Sequence, residues 1–228
     1  MAKVTFHGHA TCSLETDDGV QIVIDPFFND NPACEIGVEE VEADFILVTH
    51  GHGDHIGDLI PLAKHTGAMV ISTFEIVSWL GTQGIDNTHP LHIGGGYDFP
   101  FGRAKMTPAL HGGKVDGPGG EAFTTVPGGF LLHLGEGQRF YHAGDTALLM
   151  EMQLLKGQVD VAMLPIGDNF TMGPEDAARA VEFIEPKVVI PIHYNTWPVI
   201  EQDPQAFKAR VGNGALVEVL NPGESFSF

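Results

Sequence analysis

Short apolar runs punctuated by Gly, Pro and Asp dominate the chain, and their periodicity sets the predicted elements. Residues 3 to 7 read as an opening strand. Cys12 to Thr16 and Val20 to Asp25 read as two strands joined through Asp17-Asp18-Gly19, a strong hairpin signal. Residues 29 to 44 are polar and acidic, which predicts an exposed loop, and Phe45-Ile46-Leu47-Val48 is a continuous run of the buried-strand kind. Apolar positions 59, 60, 62 and 63 predict a helix from Asp58 to His65, stopped by Gly67. Met69 to Ser72 is another buried strand, and Phe74 to Leu80 a second helix. His89 to Leu110 is strand-like, with turns at 94–96 and 100–102.

From Lys114 to Pro127 glycine and proline dominate without periodicity, which predicts a mobile loop beside the site, joining two halves. Gly129 to Leu134 and Arg139 to His142 then form paired strands, followed by a helix from Ala147 to Leu155 and a buried strand from Val159 to Leu164. Pro174-Glu175-Asp176 opens an amphipathic helix through residue 184. Val188-Val189-Ile190, a short helix over 205–211 and a strand over 216–220 follow. Strands come first in each half and alternate with helices afterwards. That order predicts an α/β sandwich of two mixed sheets packed face to face with helices outside, and we treat residues 1–228 as one domain.

Composition narrows the function. The 228 residues carry 30 acidic against 11 basic side chains, a formal charge of -19, and the basic ones are scattered. Phosphate backbones are held by clustered Lys and Arg, so nucleic acid is disfavoured as a partner. No apolar stretch is long enough to cross a bilayer, and the start lacks the apolar region and cleavage site of a signal peptide, so no membrane partner and a cytoplasmic location are expected. Cys12 and Cys34 suit a reducing compartment, and Cys12 reads as a small buried hydrophobe.

The chemistry concentrates in Thr49-His50-Gly51-His52-Gly53-Asp54-His55. Three imidazoles and a carboxylate at the end of a rigid strand can converge on one metal, with glycines letting the backbone bend between ligands. A solvated loop rich in histidine is the bland alternative. His111, Asp145 and His193 repeat the same design, each at a predicted strand end beside Gly or Pro, and together the four segments offer enough ligands for two ions. Asp25, closing a strand, is read either as a carboxylate orienting a ligand histidine or as a simple turn former.

His50-x-His52-x-Asp54-His55 with His111, Gly144-Asp145-Thr146 and His193 resembles the metallo-β-lactamase superfamily, whose fold is a four-layer αββα sandwich. Gly8-His9-Ala10, Ile24-Asp25-Pro26, Tyr141-His142-Ala143-Gly144-Asp145-Thr146, Leu164 to Met172 and His193-Tyr194-Asn195-Thr196-Trp197 are similar, more narrowly, to a family of bacterial and archaeal metal-dependent hydrolases akin to the ascorbate-phosphate lactonases. The resemblance implies one metal on His50, His52 and His111 and a second on Asp54, His55 and His193, with Asp145 bridging. It implies two divalent ions, zinc first and manganese, nickel or iron as alternatives, sharing a hydroxide that attacks a small-molecule ester, lactone or phosphodiester. Asp54 would then orient the nucleophile and carry its proton. His9 is expected near the metals or the substrate, Asp168 and Asn195 less so because both residue types commonly make turns, and His142 is read as structural or as a support behind the ligands, not as a ligand. Trp197 and Phe170 are candidates for the pocket wall or the core. The rival functions are a mononuclear iron oxygenase of the persulfide type and a non-catalytic metal-binding protein. Self-association is an expectation from the family alone.

Overall fold

The computed structural model describes residues 1–117 and 119–228, with Glu136 described by its backbone only. In chain order the elements are β1 (Lys3–Phe6), β2 (Cys12–Glu15), β3 (Gln21–Ile24), β4 (Phe45–Leu47), α1 (Gly53–Ile56), α2 (Leu59–Thr66), β5 (Met69–Thr73), α3 (Phe74–Thr82) and β6 (Thr88–Leu91). Then follow β7 (Gly96–Phe99), β8 (Gly102–Pro108), β9 (Lys114–Asp116), β10 (Ala122–Thr124), β11 (Gly128–Leu134), β12 (Arg139–His142) and β13 (Val161–Pro165). The chain continues through α4 (Pro174–Ile184), β14 (Val188–Ile192), α5 (Pro204–Val211), β15 (Leu216–Val217) and β16 (Ser225–Ser227).

Two seven-stranded sheets result, one in the order β16-β1-β2-β3-β4-β5-β6 and the other β15-β14-β13-β12-β11-β8-β7. In each, an antiparallel meander passes into parallel strands once helices begin to alternate with them. The period-2 alternation of the strands explains the layering. Phe45 and Leu47 point between the sheets, where Leu14, Ile24, Met106, Phe130, Leu132, Phe140 and Ile190 meet them. Ile46 and Val48 point outward onto Leu59, Leu62, Ile76, Trp79 and Leu80 of α2 and α3. On the other sheet Leu131, Tyr141, Ala162 and Val189 point outward onto Ala177, Val181 and Ile184 of α4 and Phe207 of α5. The architecture is the expected αββα sandwich.

Several predicted elements differ from the structure. The stretch 29–44 is not wholly an exposed loop: a 3-10 turn over Val38–Glu40 buries Val38 and Val41 near α2. Asp58 fixes that stretch, accepting hydrogen bonds from the Phe28 and Asn29 amides at 2.6 and 3.0 Å and from Asn29 Nδ2 at 2.8 Å. The helix expected over 147–155 is a 3-10 turn, Met150–Leu155. The predicted strand 216–220 shortens to Leu216–Val217, and β16, which the sequence reading lacked, pairs antiparallel with β1.

The stretch 114–127, expected to be a loop, contains the antiparallel hairpin β9–β10; Pro118, within that stretch, lies outside the described residues. Tertiary contacts hold it where local propensity does not. Val115 is buried, Trp79 Nε1–H donates to the Asp116 carbonyl at 3.0 Å, and β9 lies against the histidine loop. A Cβ on Gly51 would stand 2.6 Å from Val115 Cγ1 and 2.8 Å from the Lys114 carbonyl oxygen. Gly51 is therefore required by the close approach of β9 as well as by the bend between ligands.

Candidate metal centre

The loops that follow β1, β3, β4, β8, β12 and β14 meet at one place, bringing together His9, Asp25, His50, His52, Asp54, His55, His111, Asp145 and His193. Two groups of donor atoms that could hold an ion lie there, one from His50, His52, His111 and Asp145 and one from His9, Asp54, His55 and His193. In the first, His50 Nε2 and His111 Nε2 lie 3.0 and 3.2 Å from His52 Nδ1. Two nitrogens on a tetrahedral zinc are about 3.3–3.4 Å apart, from metal–nitrogen bonds of about 2.0–2.1 Å, so the spacing fits one ion. Asp145 stands between the groups. Its Oδ1 is 3.3 Å from His55 Nε2, and its Oδ2 is 3.0 Å from His193 Nε2, 3.5 Å from His111 Nε2 and 3.9 Å from His50 Nε2.

The contacts of Asp145 with His55 and His193 are close without being hydrogen-bonded. His55 Nε2, both ring nitrogens of His193 and Asp145 Oδ1 are buried with no hydrogen-bond partner among the described residues, a costly arrangement for polar atoms unless something else satisfies them. A cation is the species that imidazole lone pairs and a carboxylate can share, so the donor set fits metal.

Asp25 decides which ring nitrogens face inward. It is fully buried, and its Oδ1 accepts from the Thr49 amide at 2.7 Å while Oδ2 accepts from the Thr49 hydroxyl at 2.6 Å and from His55 Nδ1–H at 2.8 Å. Because that hydroxyl proton is committed to Asp25, Thr49 Oγ1 is left to accept from His50 Nδ1–H, 3.0 Å away. One carboxylate thus fixes the tautomer of two histidines and turns both Nε2 atoms toward the centre. The sequence carried the signal for Asp25 but none for Thr49.

Electrostatics favour ligand-ready forms of His50 and Asp145, and push His55 the other way. Burial and the neighbouring His55 hold His50 well below the usual imidazole range. Burial pulls Asp145 up, but His55 and His193 outweigh it and hold the carboxyl well below its ordinary value. Burial would lower His55, yet the charges of Asp145 and Asp25 prevail and raise it well above. A proton held between two carboxylates marks a place where a metal ion can substitute for it. Asp54 is likewise held low: burial opposes ionisation, and the hydrogen bond from His9 with the charge of His55 overcomes it.

The remaining expected residues divide. His9 is buried beside Asp54, with burial pushing its imidazole down to about 4. His142 is structural: fully buried, it donates from Nε2 to the Ala10 carbonyl at 2.9 Å and accepts the Gly144 amide on Nδ1 at 3.1 Å, tying the turn before Asp145 to the other half. Asp168 and Asn195 are exposed and not brought to the centre. Asp168 Oδ1 accepts from the amide of Asn169 in its own turn, and Asn195 Oδ1 accepts from the Gln202 amide. Phe170 is exposed, whereas Trp197 packs on His9 with ring centroids 4.8 Å apart. Thr196, bonded to His9, lies in the motif from His193 to Trp197 but had no role assigned to it from the sequence.

The profile of the β-lactamase superfamily domain matches residues 3–193. A UPF0173 metal-dependent hydrolase of Geobacillus sp. (strain WCH70) is 52% identical over 225 residues, covering 97% of this chain and 98% of its own. Another, from Bacillus mycoides (strain KBAB4), is 48% identical over 231 residues and the full length of both chains. Among solved structures Igni18, a metallo hydrolase from the hyperthermophilic archaeon Ignicoccus hospitalis KIN4/I, aligns with a TM-score of 0.87 at 36% identity, over 100% of this chain and 99% of its own.

Proposed function

Because the chain belongs to the metallo-β-lactamase superfamily and, within it, to the UPF0173 metal-dependent hydrolases, we propose that this metal-dependent hydrolase works with two divalent ions on a small-molecule ester, lactone or phosphodiester. The observation that carries the reading is the cluster of inward-facing donors without hydrogen bonds, His55 Nε2, His193 Nε2 and Asp145 Oδ1. His50 Nε2, His52 Nδ1 and His111 Nε2 would hold one ion, and Asp54, His55 Nε2 and His193 Nε2 the other, with the two oxygens of Asp145 reaching toward both. Zinc is the first choice for this nitrogen and carboxylate set, with manganese, nickel and iron as alternatives.

Such ions supply an acidified water and an electrophilic partner for the carbonyl or phosphoryl oxygen. The chain supplies the rest. Asp25 keeps the Nδ1 protons of His55 and, through Thr49, of His50 away from the centre. Asp54, held in its ionised form and about one-quarter exposed, would take the proton of the attacking water and return it to the leaving group. Metal analysis combined with turnover on ester, lactone and phosphodiester substrates under zinc, manganese and nickel tests the proposal. Two ions per chain with hydrolysis of one class is the expected result. One iron per chain with oxygen uptake would replace it with the iron oxygenase, and full metal loading without hydrolysis of any class with the non-catalytic protein.

A further inference from the structure

His9 lies outside the seven residues assigned to the ions, yet its backbone, its ring faces and both ring nitrogens are held. It is 1% exposed and sits in the left-handed region with φ 56°, following Gly8 at φ 96°, a backbone that a non-glycine residue keeps only when its surroundings enforce it. A Cβ on Gly8 would come within 2.9 Å of Ala33 Cβ, so the loop leaves no room to relax. Its carbonyl accepts the His193 amide at 2.6 Å, and its ring packs against those of His193, at 4.0 Å between centroids, and Trp197. The polar edges are both used: Nε2 lies 3.0 Å from Asp54 Oδ2, and Nδ1 lies 2.8 Å from Thr196 Oγ1.

Resting on the two-ion reading above, we propose that His9 is a positioning residue: its Nε2–H clamps Oδ2 of Asp54 while Thr196 locks the ring from the far side. An ionised carboxylate only accepts, so the proton of this contact belongs to His9. Asp54 is the second residue of the four-residue helix α1 and projects from its first turn, where a short side chain with a partly exposed carboxylate has several rotamers open to it. With Oδ2 clamped one remains, and in it Oδ2 also lies 3.9 Å from His193 Nε2, so the carboxylate is held against the second ion's ligand set. His9 lies within the same group of donor atoms, and on this proposal its two nitrogens serve Asp54 and Thr196 and not an ion.

The test compares His9→Phe, which keeps the ring packing and removes both polar edges, His9→Gln, whose amide reaches the place of Nε2, and Thr196→Val. Ion affinity is measured by chelator competition, full loading by metal analysis at saturating zinc, fold by thermal unfolding, and kcat and KM on the substrate class the wild type hydrolyses. Loss of an outer partner of this kind costs about 10–100-fold in metal affinity or activity. The expected result is that His9→Phe folds, still takes the wild-type number of ions at saturation, binds the weaker ion about 10–100-fold less tightly and loses kcat by a similar factor with KM little changed. His9→Gln should regain most of both, and Thr196→Val should fall between. Wild-type affinity in His9→Phe overturns the inference, and so does loss of an ion that saturating zinc cannot restore, which would make His9 a ligand. Because affinity is read without turnover, a wild type that hydrolyses nothing refutes the hydrolytic proposal and leaves this test intact. If His9→Phe fails to fold, the comparison of Thr196→Val with wild type decides, and unchanged affinity there overturns the inference.

Discussion

Asp25→Asn is the sharpest probe of the centre because it changes charge and proton inventory while keeping shape, and Asn tolerates the left-handed backbone found at this position, φ 51°. The amide has two ways to fit. With its NH₂ toward the Thr49 amide, two donors face each other in a site of zero exposure, and leaving a buried backbone donor unpaired costs about 1–3 kcal/mol. Turned over, the NH₂ faces the Thr49 hydroxyl and His55 Nδ1, so both must become acceptors. Thr49 then donates to His50 Nδ1, and the proton of each histidine moves to Nε2, where it blocks an ion. Without metal the chain can choose the second arrangement; with metal it is driven to the first. The substitution should therefore reduce the stabilisation that zinc confers by about 1–3 kcal/mol, equivalent to about 5–150-fold in affinity. Urea unfolding of both proteins, each in excess chelator and in saturating zinc, measures this. If zinc stabilises the variant and the wild type equally, within about 0.5 kcal/mol, the tautomer argument is wrong.

Four further outcomes are expected. Asp54→Asn should keep the fold and lose most turnover at full metal loading, and unchanged kcat would remove Asp54 from proton transfer. Chelation should lower the unfolding temperature by about 5–10 °C, because an ion held at about 100 times its Kd contributes about 2.7 kcal/mol and a chain of this length shifts about 2–4 °C per kcal/mol. Gly51→Ala should destabilise by about 1–3 kcal/mol and speed proteolysis of the β9–β10 hairpin, whereas Gly53→Ala, with nothing within 4 Å, should do neither; urea midpoints and a cleavage time course compare them. Burial pushes His7 down to about 4, so the folded chain resists a proton that the unfolded chain takes up near 6.5. Its contribution is complete above pH 6.5 and is lost as pH falls toward 4, so between pH 7 and 4.5 the wild type should lose about 2–3 kcal/mol more than His7→Gln in paired denaturant titrations.

The sequence was most readable where one requirement dominates. Phe45 to Val48 is apolar on both faces because β4 is covered on both, and a strand so buried delivers His50 at a fixed point. His111, Asp145 and His193 were singled out because each pairs a ligand-type side chain with a strand end, although which nitrogen His50 offers depends on Thr49, whose role exists only through contacts across the fold. The β9–β10 hairpin was missed for the opposite reason. Its glycines and Pro118 read as loop, and what orders it comes from elsewhere, through Val115 over Gly51 and Trp79 on Asp116. Asp168 and Asn195, expected with less weight near the metals or the substrate, bond within their own loops.

The pairing of β16 with β1 also constrains how the protein is made. On the ribosome β1 to β6 emerge first, but one border of their sheet stays open until Ser225–Ser227 has been synthesised, after all the strands of the other half. Until then the backbone groups of Lys3–Phe6 on that side are exposed to any other extended chain nearby, the ordinary route to aggregation during synthesis. A translational arrest or a proteolytic nick before residue 225 would expose the same border in an otherwise finished molecule.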